Sequence, residues 1–105
     1  MYSVVYITAS GPGETEKIAS ALVEDGLVAC VNAVPITSYF IWEGSMHKDA
    51  EVLLLCKTLT ARAEDVVARV KELHSYDVPC ITHWPIAGGS ESYLQWVGEQ
   101  AGGGP

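Results

Sequence analysis

The chain is expected to fold as an α+β domain of the split-βαβ, ferredoxin-like kind: βαββαβ with an extra C-terminal helix and an antiparallel sheet. Three observations carry that expectation. Runs rich in Val, Ile and Tyr alternate with stretches of helical spacing, in the order strand, helix, strand, strand, helix, strand, helix. The length, 105 residues, is that of one domain. A composition of 49% hydrophobic and 18% charged residues suits one core and excludes disorder for the chain as a whole.

Tyr2 to Thr8 reads as the first strand, and Gly11-Pro12-Gly13 ends it. Pro12 suits the first position of a helix, where its missing N–H costs nothing. Glu14 and Glu16 fall in the first turn, where the helix dipole favours negative charge. Ile18, Ala21 and Leu22 form its apolar stripe, and Gly26 supplies a left-handed stop. Leu27 to Val34 is the second strand. Pro35 interrupts it, and Thr37 to Trp42 continues as an extended arm. Glu43-Gly44-Ser45 is a turn, and Ala50 to Thr58 is a third strand that closes a long hairpin. Thr60 can cap a second helix whose buried face is Ala63, Val66, Val67, Val70 and Leu73. His74 to Asp77 is a loop, and Val78 to Ile86 is a fourth extended segment. Pro79 and Pro85 make that segment short or place it at an edge. Ser90 can cap a last helix carrying Tyr93, Leu94, Trp96 and Val97. Residues 1–100 then form a single domain, and residues 101–105 a flexible Gly-rich tail.

One face of such a sheet lies under the two helices, and the other should be polar if the domain stands alone. It is not polar here. Leu27, Ala29, Val31 and Ala33 belong to the face under the helices, yet the opposite side of the hairpin still carries Val28, Val34, Leu53 and Leu55. The arm adds Tyr39, Phe40, Ile41 and Trp42. An apolar surface of that extent implies an oligomer with the sheets facing inward. The alternative is that the last helix folds over the open face.

Six basic against thirteen acidic residues give a net charge of −7, which argues against nucleic acid and against an anionic membrane surface. No apolar run approaches the ~18–20 residues of a membrane span, and no basic start leads into a signal-peptide core. A cytoplasmic protein is expected. Three cysteines, Cys30, Cys56 and Cys80, cannot all pair within one chain and are expected to be reduced thiols.

Among domains of this order, an RNA-recognition module needs strand aromatics and basic residues. A metallochaperone needs a Cys-x-x-Cys loop where this chain has Ala9 to Gly13. An acylphosphatase needs an Arg-ended Gly-rich loop that is absent here. No nucleophile has an evident base beside it, so the chain is not expected to be an enzyme. Thiol and imidazole suit a soft metal ion. Cys56 sits in a leucine run and reads as core. Cys30 alternates onto the face of Asn32 and is the more accessible thiol. Cys80 and His83 point to opposite faces of a strand. His74 stands at a helix end.

The runs Ala29-Cys30-Val31-Asn32 and Trp42-Glu43-Gly44, with Tyr39 between them, resemble the CutA family of divalent-cation tolerance proteins. So do Glu51 through Lys57-Thr58, the run Leu73-His74-Ser75-Tyr76-Asp77-Val78-Pro79, and Tyr93-Leu94-Gln95-Trp96. The resemblance covers residues 2 to 98. It implies a homotrimer and a role in tolerance to copper or another divalent cation. It also implies metal ligands at Cys30 and His74; Cys80, which breaks the family pattern, is a second thiol candidate on its chemistry alone. Trp42, Lys57 and Tyr76 match the family pattern and are expected at a pocket or subunit interface. Ser75, Asp77 and Cys80 depart from the pattern beside that region, as does the pair Phe40-Ile41. The alternative function is a trimeric signalling or scaffold module that binds a partner protein or a small anion. Lys57 and the start of the first helix, Gly11 to Glu14, would receive the anion.

Overall fold

The computed structural model describes residues 1–102. Strand β1 (Tyr2–Ala9) leads into helix α1 (Pro12–Glu24), with Pro12 at its first position. Gly26 has φ 68°, the left-handed stop expected after α1. Strands β2 (Cys30–Trp42) and β3 (Ser45–Leu59) form one long hairpin, closed by Glu43 and Gly44. Both turn residues have positive φ, 51° and 80°, the backbone that matches strand twist in a two-residue hairpin loop. A 3₁₀ turn, Thr60–Arg62, precedes α2 (Ala63–Leu73). Strand β4 (Ile81–Pro85) and helix α3 (Glu91–Gly102) follow. The sheet order is β2-β3-β1-β4, antiparallel throughout.

Several element bounds differ from the expectation. Pro35 does not interrupt β2: it stands opposite Val52 and the register runs through it. The strand is at the sheet's edge, where one side has no ladder and a missing N–H is tolerated. β2 also starts later, because Leu27 to Ala29 form the approach to the sheet, with Val28 buried in the core. Thr60 does not cap α2; its hydroxyl is 2.7 Å from that of Ser3. Strand β4 is shorter than the segment 78–86. Ala101 and Gly102 belong to α3 rather than to a tail, and Ala101 is fully buried, its carbonyl accepting a bond from Arg62 Nε at 3.0 Å. The remainder of the expected tail lies outside the described residues.

The core sits between α1, α2 and one face of the sheet. It holds Val5, Ile7, Leu54 and Cys56 from the strands and Ile18, Leu22, Val66 and Val70 from the helices, all fully buried. Strand alternation turns Val4, Tyr6, Leu53 and Leu55 to the opposite face. Helix α3 packs on one end of that face: a Cβ at Gly98 would lie 3.4 Å from the Tyr2 ring and 3.7 Å from Leu59. The rest is uncovered, leaving Val34 and Trp84 exposed and Leu53 and Leu55 partly so. Beyond the last β1 pair, Ala9 with Val52, the hairpin continues as a two-stranded arm from Ile36–Glu51 to Trp42–Ser45. Tyr39, Ile41 and Met46 stand exposed on it.

Candidate functional site

The groove runs along the arm, from Glu51 at its base to Trp42 beside the turn, on the open face and with no residue of α3 in its lining. Its volume is about 610 Å³, within the range of small-ligand sites. Tyr6 and Thr8 form its floor, Phe40 and Trp42 one wall, and the loop from Ser75 to Cys80 the other. His47, Asp49 and Glu51 of β3 enter it because alternate residues of a strand share a face. Phe40 and His47, opposite each other in the hairpin, stack at 5.4 Å.

A hydrogen-bonded frame fixes the loop wall. Glu14, in the first turn of α1, accepts the Ser10 N–H at 2.9 Å with one oxygen and the Ser75 N–H at 2.7 Å with the other. Burial alone would raise the Glu14 pKa, but the bonds from Ser75 and Ser10 outweigh it and bring it down to about 2. The His74 side chain is fully buried. Its Nδ1 accepts the Tyr76 N–H at 3.1 Å, which places the proton on Nε2, 2.7 Å from the Thr8 carbonyl that it bonds. The Tyr76 hydroxyl in turn donates to Glu51 at 2.9 Å. Burial and that carboxylate push the Tyr76 phenol up to about 12.

The residues singled out in the sequence divide between two places. Trp42, Tyr76 and Cys80 line the groove, and the Cys80 thiol is exposed. His74 lies behind the groove with both ring nitrogens engaged by the backbone. Cys80 approaches the same strand residue, its carbonyl accepting the Thr8 N–H at 3.3 Å. Cys30 and Lys57 face each other across the hairpin near the end covered by α3. Cys30 lies 3.3 Å from the Tyr93 hydroxyl of α3, and Lys57 donates to Asn32. The hydrogen bond with Cys30, together with burial, raises the Tyr93 phenol to about 12. Through Lys57, Cys30 aligns with Val4 of β1, whereas His74 touches Thr8, four residues along. Strand geometry therefore separates Cys30 from His74 by on the order of 15 Å. One subunit does not bring Cys30, His74 and Cys80 around a single ion, and no group of three ligating side chains meets among the described residues.

The anion reading loses its two supports. The Ser10 N–H just ahead of α1 is taken by the Glu14 carboxylate, itself an anion, and Lys57 sits near the opposite end of β1, so the two do not converge on one anion. Sequence reasoning gave Glu14 only to the start of the first helix and Glu51 only to a matched run, and passed over Asp49. The readable signal was the Asp49-x-Glu51 spacing, which sends two carboxylates to one face of a strand.

Fold and site together define a small α+β domain with an acidic, aromatic-walled groove beside an exposed thiol. The chain belongs to a known family of such domains: residues 3–100 match CutA1, the divalent ion tolerance protein. It is 47% identical to the divalent-cation tolerance protein CutA of Thermus thermophilus over 103 residues, 97% of this chain and 100% of that one. It is 41% identical to the Archaeoglobus fulgidus protein of the same name, over 94% of this chain and 97% of that one. The solved Archaeoglobus structure, described as a periplasmic divalent cation tolerance protein, superposes with a TM-score of 0.93, covering 96% of this chain and 99% of that one. No helix among the described residues is long and apolar enough to cross a membrane.

Proposed function

We propose that this chain acts in tolerance to divalent cations as a cytoplasmic homotrimer that binds copper or a similar soft ion, as a binder rather than a catalyst. The observation that carries the reading is the exposed Cys80 thiol, set in a groove with three carboxylates, in a chain of the divalent-cation tolerance family. The carboxylates concentrate cations and the thiolate selects soft ones. Cys30, half-buried on the open face, is the second thiol. His74 ranks below both, because coordination must first displace the Tyr76 N–H or the Thr8 carbonyl. Ligands this far apart within a subunit suit sites completed by a neighbouring copy. The uncovered Val34, Leu53 and Leu55 support that assembly, and so does the arm, since a two-stranded ribbon without a third layer is marginal in water.

Copper titration of reduced, untagged protein tests the binding. Cys80→Ser and Cys30→Ser should each lower the stoichiometry, and affinity should weaken as pH falls because protons compete for the thiolate. Both variants titrating like the parent would overturn the thiol assignment. Sedimentation should give a species of three times the 11.3 kDa chain; an 11.3 kDa species alone at micromolar protein would overturn the trimer.

A further inference from the structure

We infer that His74 is a positioning residue and not a metal ligand: it clips the end of α2 to β1 and so sets the course of the loop that carries Cys80. The link to metal rests on the proposed function, where Cys80 is a thiol ligand. The clip itself lies within one subunit and needs no ion.

A ligating imidazole offers one ring nitrogen to the ion and fixes its tautomer with the other. His74 has neither nitrogen to offer. Its side chain has no exposed surface, Nδ1 accepts the Tyr76 N–H, and Nε2 carries its proton to the Thr8 carbonyl. That carbonyl belongs to a residue of β1 just past the last pair with β4, Ile7 with Ile81. The N–H and C=O of one strand residue point to the same side, and in a continued antiparallel ladder residue 80 would bond both. Here the Cys80 carbonyl accepts the Thr8 N–H at 3.3 Å, while the Thr8 carbonyl goes to the His74 ring. Both ends of the 74–80 loop are thus fastened to one residue of β1. The other ring nitrogen shapes the loop itself. Nδ1 and the Tyr76 N–H are two residues apart, the pairing that an Asn or Asp side chain makes in an Asx turn. With it, three consecutive amides have three separate partners: the His74 N–H bonds the Val70 carbonyl at 2.8 Å, the Ser75 N–H bonds Glu14, and the Tyr76 N–H bonds the ring. The same ring packs against that of Tyr76, with centroids 4.7 Å apart. The chemistry that suggested a ligand, one protonated and one free nitrogen, is used on the backbone instead.

The test is residue-resolved amide hydrogen exchange on the full, assembled protein, with the amide of the buried core residue Val5 as the reference for global stability. His74→Asn places an oxygen near the Nδ1 position, and His74→Gln places an N–H near Nε2. At Tyr76, His74→Asn should keep parental protection, whereas His74→Gln and His74→Ala should lose about tenfold relative to Val5. At Thr8, whose N–H reports the loop's other fastening, the pattern should reverse: His74→Gln keeps protection, and His74→Asn and His74→Ala lose about tenfold. A side chain that only fills space would change both amides together in every variant. If His74→Ala fails to fold, the crossed pattern of the Asn and Gln variants still decides. Copper titration of His74→Asn should give the parental stoichiometry. Fewer ions bound while Tyr76 keeps its protection, or Tyr76 and Thr8 changing in parallel in the Asn and Gln variants, overturns the inference. If Cys30→Ser and Cys80→Ser both titrate like the parent, the metal reading falls alone, and the exchange pattern still decides the clip.

Discussion

Leu54 and Leu55 are consecutive residues of one strand and live in different environments. Leu54 is fully buried under α1 and α2; Leu55, turned to the other face, stays partly open to solvent. The same contrast holds along the hairpin. Cys56 packs in the core, and burial, reinforced by nearby Cys30, pushes its thiol up to about 12, whereas Cys30 on the opposite face keeps a polar partner in Tyr93. One face of the sheet is completed within the subunit. The other is apolar but only part-covered, by α3 at one end. The difference teaches that apolar content does not by itself mark the core of a subunit. Here it marks two surfaces, one closed by the chain and one available to a neighbour.

The largest effect that can break this comparison is at Leu54. Leu54→Ala removes a side chain with no exposed surface and should cost about 4 kcal/mol in denaturant unfolding, at any protein concentration. Leu55→Ala should cost less in dilute protein, and its cost should grow with concentration as assembly contributes to stability. Equal, concentration-independent losses at the two positions would mean that the second face is completed within the subunit after all.

A smaller effect sharpens the contrast between the groove's rigid wall and the free arm. Glu14 holds the 75 loop against the start of α1 and is itself nearly buried. Its folded pKa of about 2 lies below the ordinary carboxylate value of 4.5, so the stabilisation is complete above pH ~4.5 and is lost as pH falls toward 2. The shift corresponds to on the order of 3 kcal/mol. Glu14→Gln should therefore destabilise by about that amount at pH 7 and by little near pH 2, in urea unfolding followed across that window. A constant difference at all pH values would show that Glu14 acts through shape rather than charge.

The order of elements was legible because each has a local cause: β-rich alternation in β1 and β3, Pro12 and Gly26 at the ends of α1, and the Val66 and Val70 spacing of α2. Pro35 misled because its cost depends on whether the strand is central or at an edge, and that is a property of the sheet order. The apolar second face was readable from Leu53 and Leu55, and the two readings of it, an oligomer or a covering last helix, were both open; α3 covers only one end, through a contact of Gly98 with Tyr2 that joins opposite ends of the chain. The site was less legible. Cys80 could be singled out by residue type and Tyr76 by its match to the family pattern, yet the meeting of Tyr76 with Glu51 depends on where a loop lands against a strand 25 positions away. His74 carried the right chemistry for a ligand in sequence. Its two backbone partners, Thr8 and Tyr76, give it a structural task that only the fold displays.

The smallest effect belongs to the arm itself. Gly44 has φ 80° in the turn between Trp42 and Ser45, and a Cβ there would meet nothing within 4 Å. Gly44→Ala therefore carries only the backbone penalty of a left-handed conformation, about 1 kcal/mol. The turn lies seven residue pairs beyond the end of β1, and among the described residues no third strand pairs with it. The penalty should thus appear as faster hydrogen exchange in residues 39–48, while exchange in β1 and global unfolding stay at parental values. If global stability falls by the full amount instead, the arm is coupled to the core. In an assembled protein that coupling would run through a neighbouring subunit, and diluting the protein should abolish it.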